Sequence, residues 1–474
     1  MIPISDDFRT ELQQQIRRPG HCQVYLRRYD SDHQQEWSYT VAEYYVKSIT
    51  IHTTGDPLSR RMPTEECIIA LTDYERLWDA GNPNGQYANV SEGVVEVIVI
   101  IGIETSGGSV EWSGFVAGFL DAKPTWNNYE ARFHFVRKLA TLTGTVKMGA
   151  NYDTDLYRMA TRIIRDADVG TSGIAAELAD ISVISHCGVR QKDIQSALLE
   201  IAVAGSCSLR TTCVGLVEIK QHWLRDTEQN PSQITAQDIL EPPTMERLPL
   251  VRYEIAAYKQ NPLTEEPARV VGTYKTRALP SLSALICVDF DTITAIGSQS
   301  VDVLSENNIA SITYGAYTDG IEVEAVTRET SNTLYTIKVL GTPATPRVNR
   351  RRWLKNRAGT DDDVLEGNDL LNLSNVGSSA GANSCLAYRA NYLTKTRDLY
   401  SIKYRGDPSI EAYDIIRVEL PFYGVSSCIV LDHTFTYQNG FSGTLIVRRI
   451  SDPADSQAFD NVPATDNTDP TETS

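Results

Sequence analysis

Tyr404 to Ile450 reads YRGDPSIEAYDIIRVELPFYGVSSCIVLDHTFTYQNGFSGTLIVRRI, and its punctuation decides the fold class. Gly406-Asp407-Pro408 marks a turn, because proline fixes its own φ and bars the residue before it from the helical region. Ile415 and Ile416 lead into Val418 and Leu420, which alternate with Arg417 and Glu419. That period of two belongs to a half-buried strand. A second strand is predicted at Cys428–Leu431 and a third at Thr434–Tyr437. Asn439-Gly440 then forms a tight turn before a fourth strand at Thr444–Arg449. Four short strands joined by turns describe an antiparallel unit able to curl into a small barrel.

The whole chain has 474 residues, of which 41% are hydrophobic, and a net charge of −17. Such a length holds several domains, and the apolar content suffices for packed cores. Twenty-three tyrosines against five methionines suit a β-rich protein, since tyrosine fits a pleated, half-exposed surface. The acidic balance argues against a general nucleic-acid coat, which needs clustered Lys and Arg. None of the eight cysteines has CxxC spacing, and most sit in apolar runs such as LSALICVDF around Cys287. They read as buried free thiols of a protein folded in a reducing cytoplasm. The opening MIPISDDFRTELQQQIRR lacks the apolar centre of a signal peptide. Apolar runs such as Val94–Ile101, interrupted by Glu96, are too short to cross a bilayer, so no membrane anchor is expected.

Residues 1–150 read as an N-terminal β-barrel-like domain behind a short helix at Phe8–Ile16. Its predicted strands are Cys22–Arg27, Ala42–Thr53, Glu66–Leu71, Val94–Ile103, Val110–Leu120 and Glu130–Val136, with Val94–Ile103 read as an edge in need of cover. Residues 151–225 form an α+β insert. Leu156, Met159, Ala160, Ile163, Ile164 and Ala167 follow the spacing of an amphipathic helix, with Asp153 or Thr154 as its cap. Ile194, Ala197, Leu198, Ile201 and Ala202 repeat that spacing up to Gly205, and a strand pair follows at Ser208–Thr212 and Val214–Ile219. Residues 226–345 read as a second β domain of six short strands, from Leu250–Tyr258 to Thr333–Leu340. Residues 346–452 hold a basic run, a helix near Ser378–Thr396 and the C-terminal β-barrel-like domain. The remaining 453–474 read as a disordered acidic tail: from Asp452 onward there are six acids and no base. The fold class is therefore mainly β, multi-domain, with two small barrel-like units and a small α+β insert.

Motifs for chemistry are missing. The chain contains no GxxxxGK[ST], no HExxH and no GxSxG, and its seven histidines never pair at metal-ligand spacing. His186-Cys187 is read as structural. Asp361-Asp362-Asp363 with Glu366, Asn368 and Asp369 raises Ca²⁺ binding, but Leu365 occupies the fifth place of an EF-hand loop, and a solvated acidic loop is the plain reading. No catalytic residue, metal or cofactor is assigned. The basic run RVNRRRWLKNR, Arg347–Arg357, reads either as a solvated loop at a domain junction or as a grip on an acidic neighbour or passing DNA. Arg350, Arg351, Arg352 and Trp353 are its candidate interface residues. His433 reads as a strand residue bonded across the sheet.

Two stretches at opposite ends carry a resemblance. The Gly-Asp-Pro turn, the Asp414-Ile415-Ile416 strand start, Asp432-His433, the Gly-bearing hairpin and the final Leu-Ile-Val-Arg-Arg strand resemble the C-terminal barrel of phage tail hub, or baseplate hub, proteins. LTDYERLWD, the loop NPNGQYANVSEG, the strand GFVAGFLDA and RKLATL, in that order, resemble the opening domain of the same tail-tip family. The helix–helix–hairpin insert matches the module those proteins carry between their barrels. Tyr413 and the acidic tail depart from the family pattern. The resemblance implies a structural virion protein that is not an enzyme, made in the bacterial cytoplasm and placed at the tail tip. A homotrimer would present six barrels to the hexameric tail tube. It would meet a tube or distal tail protein, the tape-measure protein and tip fibres or a spike during host cell entry, with DNA only in transit. A receptor-binding or distal tail protein and a cell-wall hydrolase are the alternatives.

Overall fold

The computed structural model describes residues 5–12, 20–30, 34–57, 61–91, 93–105, 107–146, 155–167, 170–181, 193–220, 232–248 and 398–450. Between 250 and 395 it describes residues 250–251, 253–260, 269–277, 284–289, 293–294, 302–306, 309–316, 320–327, 334–341, 343–344, 347–354, 364–365, 371–373, 376 and 379–395. The predicted acidic loop at Asp361–Asp363, His186-Cys187 and residues 453–474 lie outside these.

The C-terminal unit is built on one long strand, Gly424–Tyr437, where two short ones were predicted. His433 lies in the strand as expected, 2% exposed and bonded at both ring nitrogens, so Asp432-His433 does not separate Cys428–Leu431 from Thr434–Tyr437. A bulge lies between Val430 and Asp432. Before it the strand pairs with Ile415–Leu420, and after it with Val46–Thr54, while Phe441–Arg449 lines the other side from Cys428 to Tyr437. The bulge re-aims the strand from one neighbour to the other. Gly55 N–H takes the carbonyl of the bulged Leu431 at 2.8 Å.

That second pairing, Asp432↔Thr54 to Tyr437↔Ile49, joins the two ends of the chain in one 14-stranded sheet. The order runs Gln35–Val41, Gly20–Tyr29, Val94–Glu104, Val110–Leu120, Glu130–Val136, Thr64–Thr72 and Val46–Thr54. From the long strand it continues through Phe441–Arg449 and Asp398–Tyr404 to Thr244–Arg247. The fold is mainly β, and the described pairings close no barrel. Val94–Glu104 is interior, flanked by Gly20–Tyr29 and Val110–Leu120, because its burial on alternate residues matches theirs. The outer strands are instead Gln35–Val41 and Thr244–Arg247. Phe435, Tyr437 and Phe441 pack into the N-terminal core with Val97, Val99, Phe133 and Phe135, so the two ends share apolar burial as well as backbone bonds.

The two helices that the spacing predicts are present, Leu156–Asp166 and Ile194–Ala204. The first cap is Asp155 rather than Asp153 or Thr154: its carboxylate accepts from Arg158 N–H at 2.9 Å. Gly205 ends the second helix where a Cβ would stand 1.9 Å from Leu178 Cδ2. The strands are Ser208–Thr211 and Val217–Lys220, with Thr171–Ile174 added in parallel. Leu386 and Cys385 of the helix Ser379–Lys395 complete this core. The described cysteines are free thiols, buried except for the half-buried Cys213.

A buried set of charges locks insert, N-terminal and C-terminal segments together. Arg137 donates to Thr211 O at 3.1 Å and pairs with Glu411 at 2.5 Å. Glu65 receives the Thr211 N–H at 3.0 Å. Arg210 donates to Glu218 and to Asp414, each at 2.8 Å, and to Ala412 O at 3.3 Å. Asp414 also accepts Glu411 N–H at 2.8 Å, and Ala412 N–H reaches Thr53 Oγ1 at 3.0 Å. Burial alone pushes the Glu411 carboxyl up, but Arg137 and Arg210 outweigh it and hold it down at about 2. Tyr413, with φ 69°, fits because Gly55 leaves room: a Cβ there would lie 2.3 Å from its ring.

Removing one partner strands buried carboxylates. Arg210→Met is expected to cost about 3–5 kcal/mol, read from urea unfolding, and to open the insert junctions to limited proteolysis. A loss below about 1 kcal/mol, the range of an exposed pair, would contradict the assignment.

Candidate interaction surfaces

The predicted interface residues lie in a strand, Arg347–Leu354, and not in a loop. Arg350 stands opposite Ala257, Arg351 opposite Ala256, Arg352 opposite Ile255 and Trp353 opposite Glu254. The apolar strand Tyr253–Gln260 supplies the ladder, which decides the conformation where side-chain pattern does not. Leu371–Leu373 occupies its other side.

A surface that sequence reasoning missed is the hairpin tip Pro421-Phe422-Tyr423, between Ile415–Leu420 and the long strand. Phe422 has φ 70° and is fully exposed at 101%, with Tyr423 and Val425 exposed beside it. A left-handed backbone costs a non-glycine residue about 1–2 kcal/mol, and a phenyl ring in water gains nothing in return. Next to the tip, Ile239, Leu240, Pro242, Pro243, Leu420 and Pro421 line a groove of about 430 Å³. The outer strand Thr244–Arg247 follows directly, exposed along its whole length. A protruding apolar tip, an apolar groove and a sheet edge thus lie together at one end of the sheet. The only sequence signal was Pro-Phe-Tyr-Gly between two strands.

A second feature crosses the seam between the chain's two ends. Asp432, His52, Glu66, His134 and Asp121 alternate acid and imidazole in a row, with contacts of 3.4, 3.2, 3.0 and 3.2 Å. The hydrogen bond with Asp432 raises the His52 pKa, joined by Glu66 and opposed by burial. Glu66 is lowered chiefly by His134 and further by His52, against its own burial. No cluster of three or more such side chains among the described residues has the geometry to hold a metal ion.

His433 is held differently. Its Nδ1 faces the Ile410 carbonyl at 2.7 Å, which can only accept, so Nδ1 carries the proton. Nε2 then accepts from Tyr404 O–H at 2.8 Å, and Asp407 N–H donates to that hydroxyl at 3.0 Å. Burial keeps the ring neutral, with its pKa lowered to about 4. This is a structural strut that ties the Gly-Asp-Pro turn to the long strand.

No protein-family model matches the sequence, and no curated protein sequence matches it. Among solved structures, the chain is similar to the 43 kDa tail protein of prophage MuSo2 from Shewanella oneidensis, at 10% identity and a TM-score of 0.44, over 90% of this chain and 98% of that one. It is also similar to a tail protein from Neisseria meningitidis, at 7% identity and a TM-score of 0.45, over 90% and 96% of the two chains. A prophage tail protein from Listeria monocytogenes matches at 7% identity and a TM-score of 0.41, over 90% and 94%. No helix among the described residues is long and apolar enough to cross a membrane.

The acid–imidazole row gives a signed pH dependence. A raised histidine contributes stability that is complete below its unfolded value near 6.5 and fades as pH rises through its folded one. His52→Gln is therefore expected to lower the urea midpoint at pH 6 and to leave it nearly unchanged at pH 9. An equal loss at both values would contradict the charged row.

Proposed function

We propose that the chain is a structural subunit of a phage tail tip or baseplate hub and acts by assembly rather than catalysis. The single observation that carries this reading is that one chain contributes an antiparallel β unit from each end and welds them into one body, through the Ile49–Thr54 pairing with Asp432–Tyr437 and the buried charges. A trimer of such a subunit offers six β units to a six-fold tube from a three-fold ring. Unlike rigid units on flexible tethers, welded ones keep a fixed spacing, which a cap on a tube requires. The resemblance of both terminal stretches to tail hubs supports the same assignment.

Closed rings need complementary apolar surfaces and edge strands with partners. The Phe422 tip, the Leu240–Pro243 groove and the Thr244–Arg247 edge supply these at the sheet's C-terminal end. On this reading the hub meets a tube or distal tail protein on the ring and tape-measure protein and tip fibres or a spike elsewhere, with DNA in transit through the channel. On the same reading, Arg350, Arg351, Arg352 and Trp353 are the candidate contact with another tail component.

Light scattering over a range of concentrations tests the assignment. The expected mass is three times 52.6 kDa. Phe422→Ser with Val425→Ser is expected to weaken association at least tenfold without lowering the melting temperature of the subunit, since both side chains are exposed. A strict monomer at every concentration that also fails to bind purified tube protein would overturn the assignment.

A further inference from the structure

A group of aromatic side chains at the far end of the N-terminal strands has no part in the assembly surfaces described. Tyr44, Tyr74 and Tyr129 are 77%, 72% and 53% exposed. Tyr74 and Tyr129 lie 5.9 Å apart between ring centres, Trp126 meets Tyr129 at 6.0 Å, and Tyr44 meets Tyr45 at 4.2 Å. Glu75 joins the two sides, accepting the Tyr45 hydroxyl at 3.3 Å. The result is a stepped shelf of rings, tilted by 40° between Tyr74 and Tyr129 and by 43° between Tyr44 and Tyr45 with Trp126 edge-on to Tyr129, and rimmed by Glu75, Asn127 and Asn128, all exposed.

The shelf is built rigidly. Asp73 accepts the Leu77 and Trp78 N–H groups at 2.7 and 2.9 Å, and its own N–H takes the Tyr129 carbonyl at 2.7 Å. Arg76, paired to Asp79, lies over the Trp126 ring at 5.3 Å. Tyr129 carries the sharper signal. Asn127 pairs with Glu130, leaving Asn128-Tyr129 as a two-residue hairpin loop with φ 49° and 59°. Such a turn takes Asn readily at its first central position and strongly prefers glycine at its second. A tyrosine there costs backbone strain, and with its ring against Tyr74 and Trp126 it still leaves 53% of its surface exposed.

We infer that this shelf is a binding site for an uncharged glycan. Flat, rigid rings with polar tips stack on the C–H faces of pyranose rings, while carboxylate and amide groups take the sugar hydroxyls. Glu75 on the rim and the net charge of −17 disfavour polyanions, nucleic acid included. The inference goes beyond the hub assignment and does not depend on it.

The test is affinity electrophoresis of the full chain in native gels containing dextran, hydroxyethyl cellulose or glycol chitin. The inference expects at least one polymer to retard the chain in proportion to its concentration. Tyr129→Gly, alone and with Tyr74→Ala, is expected to weaken retardation at least tenfold. Tyr129→Gly by itself keeps or raises the melting temperature, because glycine suits the turn, so lost binding cannot be blamed on unfolding. No retardation by any polymer, or unchanged retardation of the double variant, overturns the inference. So does a double variant that changes the light-scattering mass in the absence of retardation, which makes the shelf a protein contact.

Discussion

Arg137 and Arg210 are buried, and apart from Glu218, which faces Arg210 across its own hairpin, the carboxylates that neutralise them come from other segments of the fold. Glu65 lies on a strand of the N-terminal unit, Glu218 on the insert, and Glu411 and Asp414 on the approach to the C-terminal strands. An unmatched buried charge is prohibitive, so a docking that omits any of the three segments is strongly disfavoured. The net stabilisation from such pairs is small against apolar packing. Their contribution is registry, for Arg137 and Arg210 between them reach carboxylates on all three segments.

From that junction the rest of the sheet follows. Asp414 fixes the loop before Ile415–Leu420, Thr53 receives the Ala412 N–H, and the long strand leaves its first partner at the bulge to pair with Val46–Thr54. The His433 strut and the Tyr413 ring beside Gly55 fill the same corner. A body made this way keeps its two β units at one spacing, and the proposed ring depends on that spacing.

Much of this was legible in residues. Alternation placed Ile415–Leu420 to the residue, and the 3.6-residue spacing found both insert helices, because in those stretches local preference and burial agree. Local pattern failed where distant partners decide. Cys428–Leu431 and Thr434–Tyr437 read as two strands, whereas one strand runs through both, its buried His433 satisfied by Tyr404 and the Ile410 carbonyl. Val94–Glu104 reads as an edge because strand order is not written in a strand's own composition. The basic run reads as loop because the ladder with Tyr253–Gln260 is a long-range contact. The exposed tip at Phe422 and the shelf at Tyr129 left almost no trace, since a positive φ on an aromatic residue cannot be read from a chain.

The claim beneath all of this is that the chain's two ends form one cooperative body. Hydrogen exchange followed by mass spectrometry measures it directly, through the amides of Ile49–Thr54 and Asp432–Tyr437. The account predicts equal protection for the two segments, both exchanging only through global unfolding and with the same urea dependence. If one segment exchanged freely while the other stayed protected, the weld between the ends, and the fixed spacing it provides, would be contradicted.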